Sequence, residues 1–83
     1  RYYVTIDIDG FDPSVAPGTG TPSHGGFFYY EILEFLDGLT KRGTIIGADL
    51  VEVAPDYDHS GSTTTLAAQI LLNLIGRIHH NRR

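Results

Sequence analysis

Cysteine is absent from the 83 residues. That excludes a disulfide framework and any thiolate metal site, so a metal could be held only by oxygen or imidazole. Charge is scarce, at 19% of residues, beside 41% apolar side chains, the balance of a chain that packs rather than one that stays disordered. Positive charge is scarcer still: six Lys and Arg stand against ten Asp and Glu, for a formal net charge of −4. No broad positive field draws such a chain onto phosphate backbones, so nucleic acid is not an expected partner. The one basic cluster, from Arg77 through His79 and His80 to Arg82 and Arg83, reads as a solvated chain end. No apolar run is long enough to cross a bilayer, and the N-terminus lacks a signal-peptide pattern, so no membrane partner and a cytoplasmic setting are expected. A chain of this length buries one small core at most, which suggests a small domain or a piece of a larger one. Its first residues already read as a strand with no Met before them, and the start of the protein is expected upstream.

What is present is an order of elements. From Tyr2 to Ile8 β-branched and aromatic residues run almost without a polar break into Asp7-Ile8-Asp9-Gly10, the pattern of a buried strand that stops at a site. Gly10 to Gly26 holds three prolines and five glycines and must be a loop, long enough to suggest function. Between Phe28 and Arg42 the positions of Ile32, Leu33, Phe35, Leu36 and Leu39 recur at helical spacing, with Lys41 and Arg42 suited to the negative end of the helix dipole and Gly43 to its C-terminal cap. Thr44 to Ala54 reads as a second buried strand closed by Pro55, with Glu52 near its end. Ser62 or Thr63 is the expected N-cap of a last helix to about His79, burying Ala67, Ile70, Leu71, Leu74, Ile75 and Ile78. Strand, helix, strand, helix implies parallel strands joined by a right-handed crossover. In such sheets ligands collect beyond the carboxyl ends of the strands, where Asp7, Asp9 and Glu52 fall.

Asp7 and Asp9 are two apart, so on an extended backbone both side chains share a face. Carboxylates that close repel unless a cation neutralises them, and hard divalent ions such as Mn²⁺ or Mg²⁺ prefer oxygen ligands. Paired aspartates also serve as turn formers and solvated charges. Glu52 reads either as a site residue or as a strand-end carboxylate paired with Lys41 or Arg42, and Thr21 either as a site residue or as the shaper of the turn before Pro22. Asp12 precedes a proline, and its carboxylate is expected to cap backbone N–H groups of the glycine-rich loop. His79 and His80 read as solvated, Tyr29 and Tyr30 as packing residues.

The longer string is more specific. Asp7-Ile8-Asp9-Gly10-Phe11-Asp12-Pro13, then Ala16-Pro17-Gly18-Thr19-Gly20-Thr21-Pro22 and Gly25-Gly26, resembles the C-terminal signature of the ureohydrolases, which include arginase, agmatinase and guanidinobutyrase. The resemblance continues through Asp49-Leu50-Val51-Glu52-Val53-Ala54-Pro55 and the helix near Leu66-Ala67-Ala68. It implies a three-layer α/β/α fold with a parallel sheet, of which residues 1–83 would be the C-terminal β-α-β-α portion of a single domain. It also implies two Mn²⁺ ions per complete site, which activate water to attack a guanidinium carbon and release urea and an amine. Carried over, Asp7 and Asp9 match catalytic metal ligands, with Asp7 bridging the two ions. Glu52 matches the carboxylate that holds the guanidinium of the substrate, and Thr21 a threonine of the same pocket. His24 departs from the acidic or apolar residue expected in the TPxxGG segment and is a candidate for substrate selection rather than metal binding.

The family's other ligands, an upstream histidine and an HxDAHxD-like motif, have no counterpart in the 83 residues. The remainder of the domain is therefore expected to be needed for activity. APGTGTP and EVAP look closer to agmatinase than to arginase, and the resemblance implies a homo-oligomer, trimer or hexamer. Two other readings stand beside this one: a deacetylase-like amidohydrolase built around one zinc, and a metal-free relative that serves as an assembly subunit.

Overall fold

A computed structural model describes residues 1–81; Arg82 and Arg83 of the expected basic chain end lie outside the described residues. Two parallel strands, β1 (Tyr2–Asp7) and β2 (Ile45–Val51), are joined by helix α1 (Tyr29–Arg42) and followed by helix α2 (Ser62–His80). Short 3₁₀ turns at Ile8–Gly10 and Pro55–Tyr57 close the two strands. The elements follow the expected order, and the register pairs Thr5 with Asp49 and Asp7 with Val51.

Both helices pack on one face of the strand pair. Ile6 and Ile8 meet Ile32 and Leu36 of α1 and Leu66, Ala67, Ile70 and Leu74 of α2 in a single core, with Val4 and Leu50 packed against it. That parity sends Tyr3, Thr5 and Asp7 to the opposite face, where Tyr3 and Thr5 reach across to Asp49. The expectation of strands buried on both faces is therefore corrected: five of the six β1 residues are not buried, because one helical layer covers one face only. Phe35, Ile75 and Val51 are likewise exposed. A shallow apolar groove of about 330 Å³ runs beside Phe35 along β1, on the side away from β2.

The helix ends depart from the expected caps for identifiable reasons. Gly43 does cap α1, its N–H donating to the Leu39 carbonyl at 3.1 Å, but its backbone is extended rather than left-handed. Glycine is needed there because the Tyr2 ring occupies the space a Cβ would fill. At the other end of α1, the Glu31 carboxylate accepts the Phe28 N–H at 2.9 Å. Neither Ser62 nor Thr63 is the N-cap of α2; Gly61 holds that position with φ 74°. The Asp58 carboxylate caps the helix instead, accepting from Thr63 N–H at 3.1 Å, Thr64 N–H at 2.9 Å and the Thr64 hydroxyl at 2.7 Å. Those donors stabilise the charged form and hold the Asp58 carboxyl below its usual range, the Thr64 hydroxyl contributing most.

Between the helices Asp37 bridges Lys41, at 2.9 Å, and Arg77, at 2.8 Å. The Lys41 side chain holds the Asp37 carboxyl below its usual range. No helix among the described residues is long and apolar enough to cross a membrane.

Candidate active site at the strand ends

The glycine-rich loop is fastened to the fold at several points, and those fastenings set the site. At its two ends, Phe27 N–H donates to the Gly10 carbonyl at 2.9 Å and Asp12 N–H to the Phe27 carbonyl at 3.0 Å, forming a backbone bridge between Phe11 and Phe27. Gly26 lies so close that a Cβ would sit 2.5 Å from the Gly10 carbonyl oxygen. In the middle, Gly18 is clamped between elements: its N–H donates to Thr63 Oγ1 at 2.8 Å, and its carbonyl accepts from Ala54 N–H at 2.8 Å. Asp12 behaves as expected of a loop carboxylate. It accepts from Ser14 N–H at 3.0 Å, the Ser14 hydroxyl at 2.5 Å and Gly25 N–H at 3.1 Å. Its carboxyl is held below the usual range, first by the Ser14 hydroxyl and then by the Ser14 N–H.

Within this frame Asp7 is the last residue of β1. Its Oδ1 accepts the backbone N–H of Asp9 at 3.1 Å, which caps the 3₁₀ turn. Asp9 therefore does not continue the strand, and the argument from alternation on an extended chain is corrected: the two carboxylates are related by a capped turn. Asp9 Oδ2 in turn accepts the Thr21 hydroxyl at 2.6 Å, so the structure brings Thr21 and Asp9 into contact across the loop. Each aspartate thus has one oxygen bound by a protein donor and one without a protein donor among the described residues.

Glu52 is the first residue beyond β2, one past the Val51 that pairs with Asp7. It is exposed, and its φ of 73° is the only positive value at a non-glycine among the described residues. Its carboxylate makes no hydrogen bond or ion pair with the described residues, so the reading of Glu52 as a partner of Lys41 or Arg42 is not what the structure has; Lys41 lies on Asp37. His24 is exposed at the loop tip.

The donor set suits a hard divalent cation in kind, carboxylate oxygens with free lone pairs, but not in number. No cluster of three or more His, Cys, Asp or Glu residues able to hold a metal exists among the described residues, whereas such ions take about six ligands.

Three polar features escaped the reading of the sequence. The Asp49 carboxylate receives the Tyr3 hydroxyl at 2.9 Å and the Thr5 hydroxyl at 2.5 Å on the face that carries Asp7. Hydrogen bonding to that carboxylate is the main reason the Tyr3 phenol is pushed above its usual range. Thr5 and Asp7 interrupt the first apolar run two residues apart and Asp49 interrupts the second, a signal that could have revealed the polar face. The others are the Asp58 cap and Thr19, whose buried hydroxyl has no partner among the described residues.

Asp7, Asp9 and Glu52 lie at or just past the C-terminal ends of parallel strands, the edge of α/β domains where ligands usually collect. The model of the Arginase family matches residues 1–76, and the chain belongs to that family. It is 49% identical over 73 residues to the mitochondrial agmatinase of Gallus gallus and 45% identical over 73 residues to the guanidinobutyrase of Pseudomonas aeruginosa. Each match covers 88% of this chain but only 21% and 23% of those relatives; the chain spans less than a quarter of their length. Its fold superimposes on proclavaminate amidino hydrolase from Streptomyces clavuligerus with a TM-score of 0.88 at 41% identity, covering 96% of this chain and 26% of that one.

Proposed function

We propose that this chain carries part of the active site of a manganese-dependent ureohydrolase, which hydrolyses agmatine or a related guanidino amine or acid to urea and an amine. The observation that carries the reading is the placement of Asp7, of Asp9 with Thr21, and of Glu52 at or just past the ends of two adjacent parallel strands, in a chain whose named relatives are an agmatinase, a guanidinobutyrase and an amidino hydrolase. Nothing in those relatives favours the zinc deacetylase alternative.

In this reading Asp7 and Asp9 would hold the cations, and Mn²⁺ bound there would supply water ionised near neutral pH, the nucleophile that a resonance-stabilised guanidinium requires. Glu52 presents an unengaged carboxylate to the planar cation of the substrate, a geometry suited to paired N–H donors. The remaining ligands come from the rest of the polypeptide, of which residues 1–83 form the C-terminal portion of a single domain. The uncovered sheet face and the apolar groove along β1 support this, since both are surfaces on which further strands and helices would pack. By the same resemblance the assembly is a cytoplasmic homo-oligomer, a trimer or hexamer.

The test is Mn²⁺-dependent urea release by the longest polypeptide containing this chain, across agmatine, arginine, guanidinobutyrate and guanidinopropionate. Urea from one of them names the substrate; none from any, with Mn²⁺ bound, rejects the reading. Asp9→Asn is expected to weaken Mn²⁺ binding sharply, and Glu52→Gln to leave Mn²⁺ content intact while raising KM. The 83-residue chain alone is expected to release no urea.

A further inference from the structure

Thr21 matches a threonine of the substrate pocket by resemblance, but its observed contact is with Asp9. The hydroxyl lies 2.6 Å from Asp9 Oδ2, the short range of an O–H donor on an ionised carboxylate. A hydroxyl has one proton to give, and here the carboxylate takes it. An unrestrained aspartate turns freely about its last torsion; with Oδ2 held by the Thr21 hydroxyl, the plane of the Asp9 carboxylate is fixed, while both oxygens keep lone pairs to offer. Asp7 is treated in the same way, its Oδ1 bound by the Asp9 N–H. Each carboxylate therefore has one oxygen fixed by the protein and one without a protein donor.

Thr21 is itself well placed to fix another group. Pro22 restricts its backbone to extended conformations. The loop is fastened on one side by Gly18 to Ala54 and Thr63, and on the other by Gly25 to Asp12. The hydroxyl is thus delivered by a braced loop rather than by a loose one. The geometry points to Thr21 as a positioning residue for Asp9, one that sets cation affinity rather than substrate affinity. This rests on the proposal that Asp9 is a cation ligand. A guanidinium, which carries only donors, can still meet the lone pairs of the hydroxyl, so metal and substrate readouts must be separated.

The experiment is calorimetric titration of the longest polypeptide containing this chain with Mn²⁺ alone, followed by KM for its guanidino substrate at saturating Mn²⁺. Thr21→Val keeps the shape and removes the hydroxyl; it is expected to weaken Mn²⁺ about tenfold, the usual effect of losing a group that orients a ligand, with KM unchanged. Thr21→Ser, which keeps the hydroxyl, is expected to restore the affinity. Unchanged Mn²⁺ affinity with a raised KM in Thr21→Val would make Thr21 a substrate contact and overturn the inference. Equal weakening in the Val and Ser variants would overturn it too, since the hydroxyl would not be responsible. Asp9→Asn separates the two levels. If it leaves Mn²⁺ affinity intact, the ligand reading fails and Thr21 falls with it; if it weakens Mn²⁺ while Thr21→Val does not, only the present inference fails.

Discussion

Glu52 holds a left-handed backbone that glycine or asparagine would adopt at less cost, and its side chain makes no hydrogen bond or ion pair with the described residues that offsets the strain. For an L-residue with a long side chain the penalty is about 1 kcal/mol. Strain at a proposed substrate carboxylate predicts opposed effects on stability and function. Glu52→Asn should resist urea denaturation better than the unsubstituted protein, by up to about 1 kcal/mol, while guanidinium binding is lost. A less stable Glu52→Asn variant would mean that the carboxylate supports the fold. Asp7, Asp9, Thr21 and Glu52 were all legible as candidates, because residue type and spacing survive in a linear string. Their geometry was not. The sequence gives no sign that β1 ends at Asp7 rather than Ile8, and that one-residue difference replaces strand alternation with a capped turn. The backbone of Glu52 was equally hidden, since left-handed φ is read from glycine or asparagine and this position has neither.

Among the elements, α2 depends on a carboxylate four residues before its first turn. The folded carboxyl of Asp58 lies below its usual range, so the stability it contributes is complete above the unfolded value near 4 and is lost as pH falls through the folded value. Protection factors of the Thr63 and Thr64 amides should accordingly be flat from neutral pH to about 4 and fall below that. Protection unchanged at the lowest pH would show that the helix start does not need the charge. The neighbouring clamp is steric. A Cβ on Gly18 would lie 2.6 Å from Asp58 Cβ and 2.9 Å from Thr63 Oγ1, so Gly18→Ala should cost about 1–3 kcal/mol in a denaturation curve. Both helices and both strands were foreseen from periodicity, as was Gly43 at the end of α1, whereas the N-cap of α2 was misassigned. The cap of α2 comes from a side chain reaching back over Ser60 and Gly61, and the glycine at the end of α1 answers to a ring from β1. Each is a tertiary contact that local pattern does not encode.

For the molecule as a whole, apolar side chains such as Phe27, Phe35, Ile46 and Leu72 stand exposed. If the missing layers belong to the same domain, the 83-residue chain on its own should bind a dye specific for apolar surface, and added remainder of the domain should displace it. Failure of the two pieces to associate, with the isolated chain monomeric and dye-free, would count against the single-domain proposal. Reading both strands as buried was right about composition and wrong about this chain's coverage: Tyr3 and Val51 have the character of interior residues, but the described helices shield only the opposite face.

The backbone bridge from Phe11 to Phe27 turns the long loop into a closed ring, further tied at Asp12, Gly18 and Thr21. Between the ties at Thr21 and Gly25 only Pro22, Ser23 and His24 remain, all exposed. Extra residues inserted there would hang outside the ring, so new recognition could be grafted at that tip, beside His24, without disturbing the carboxylates beneath it.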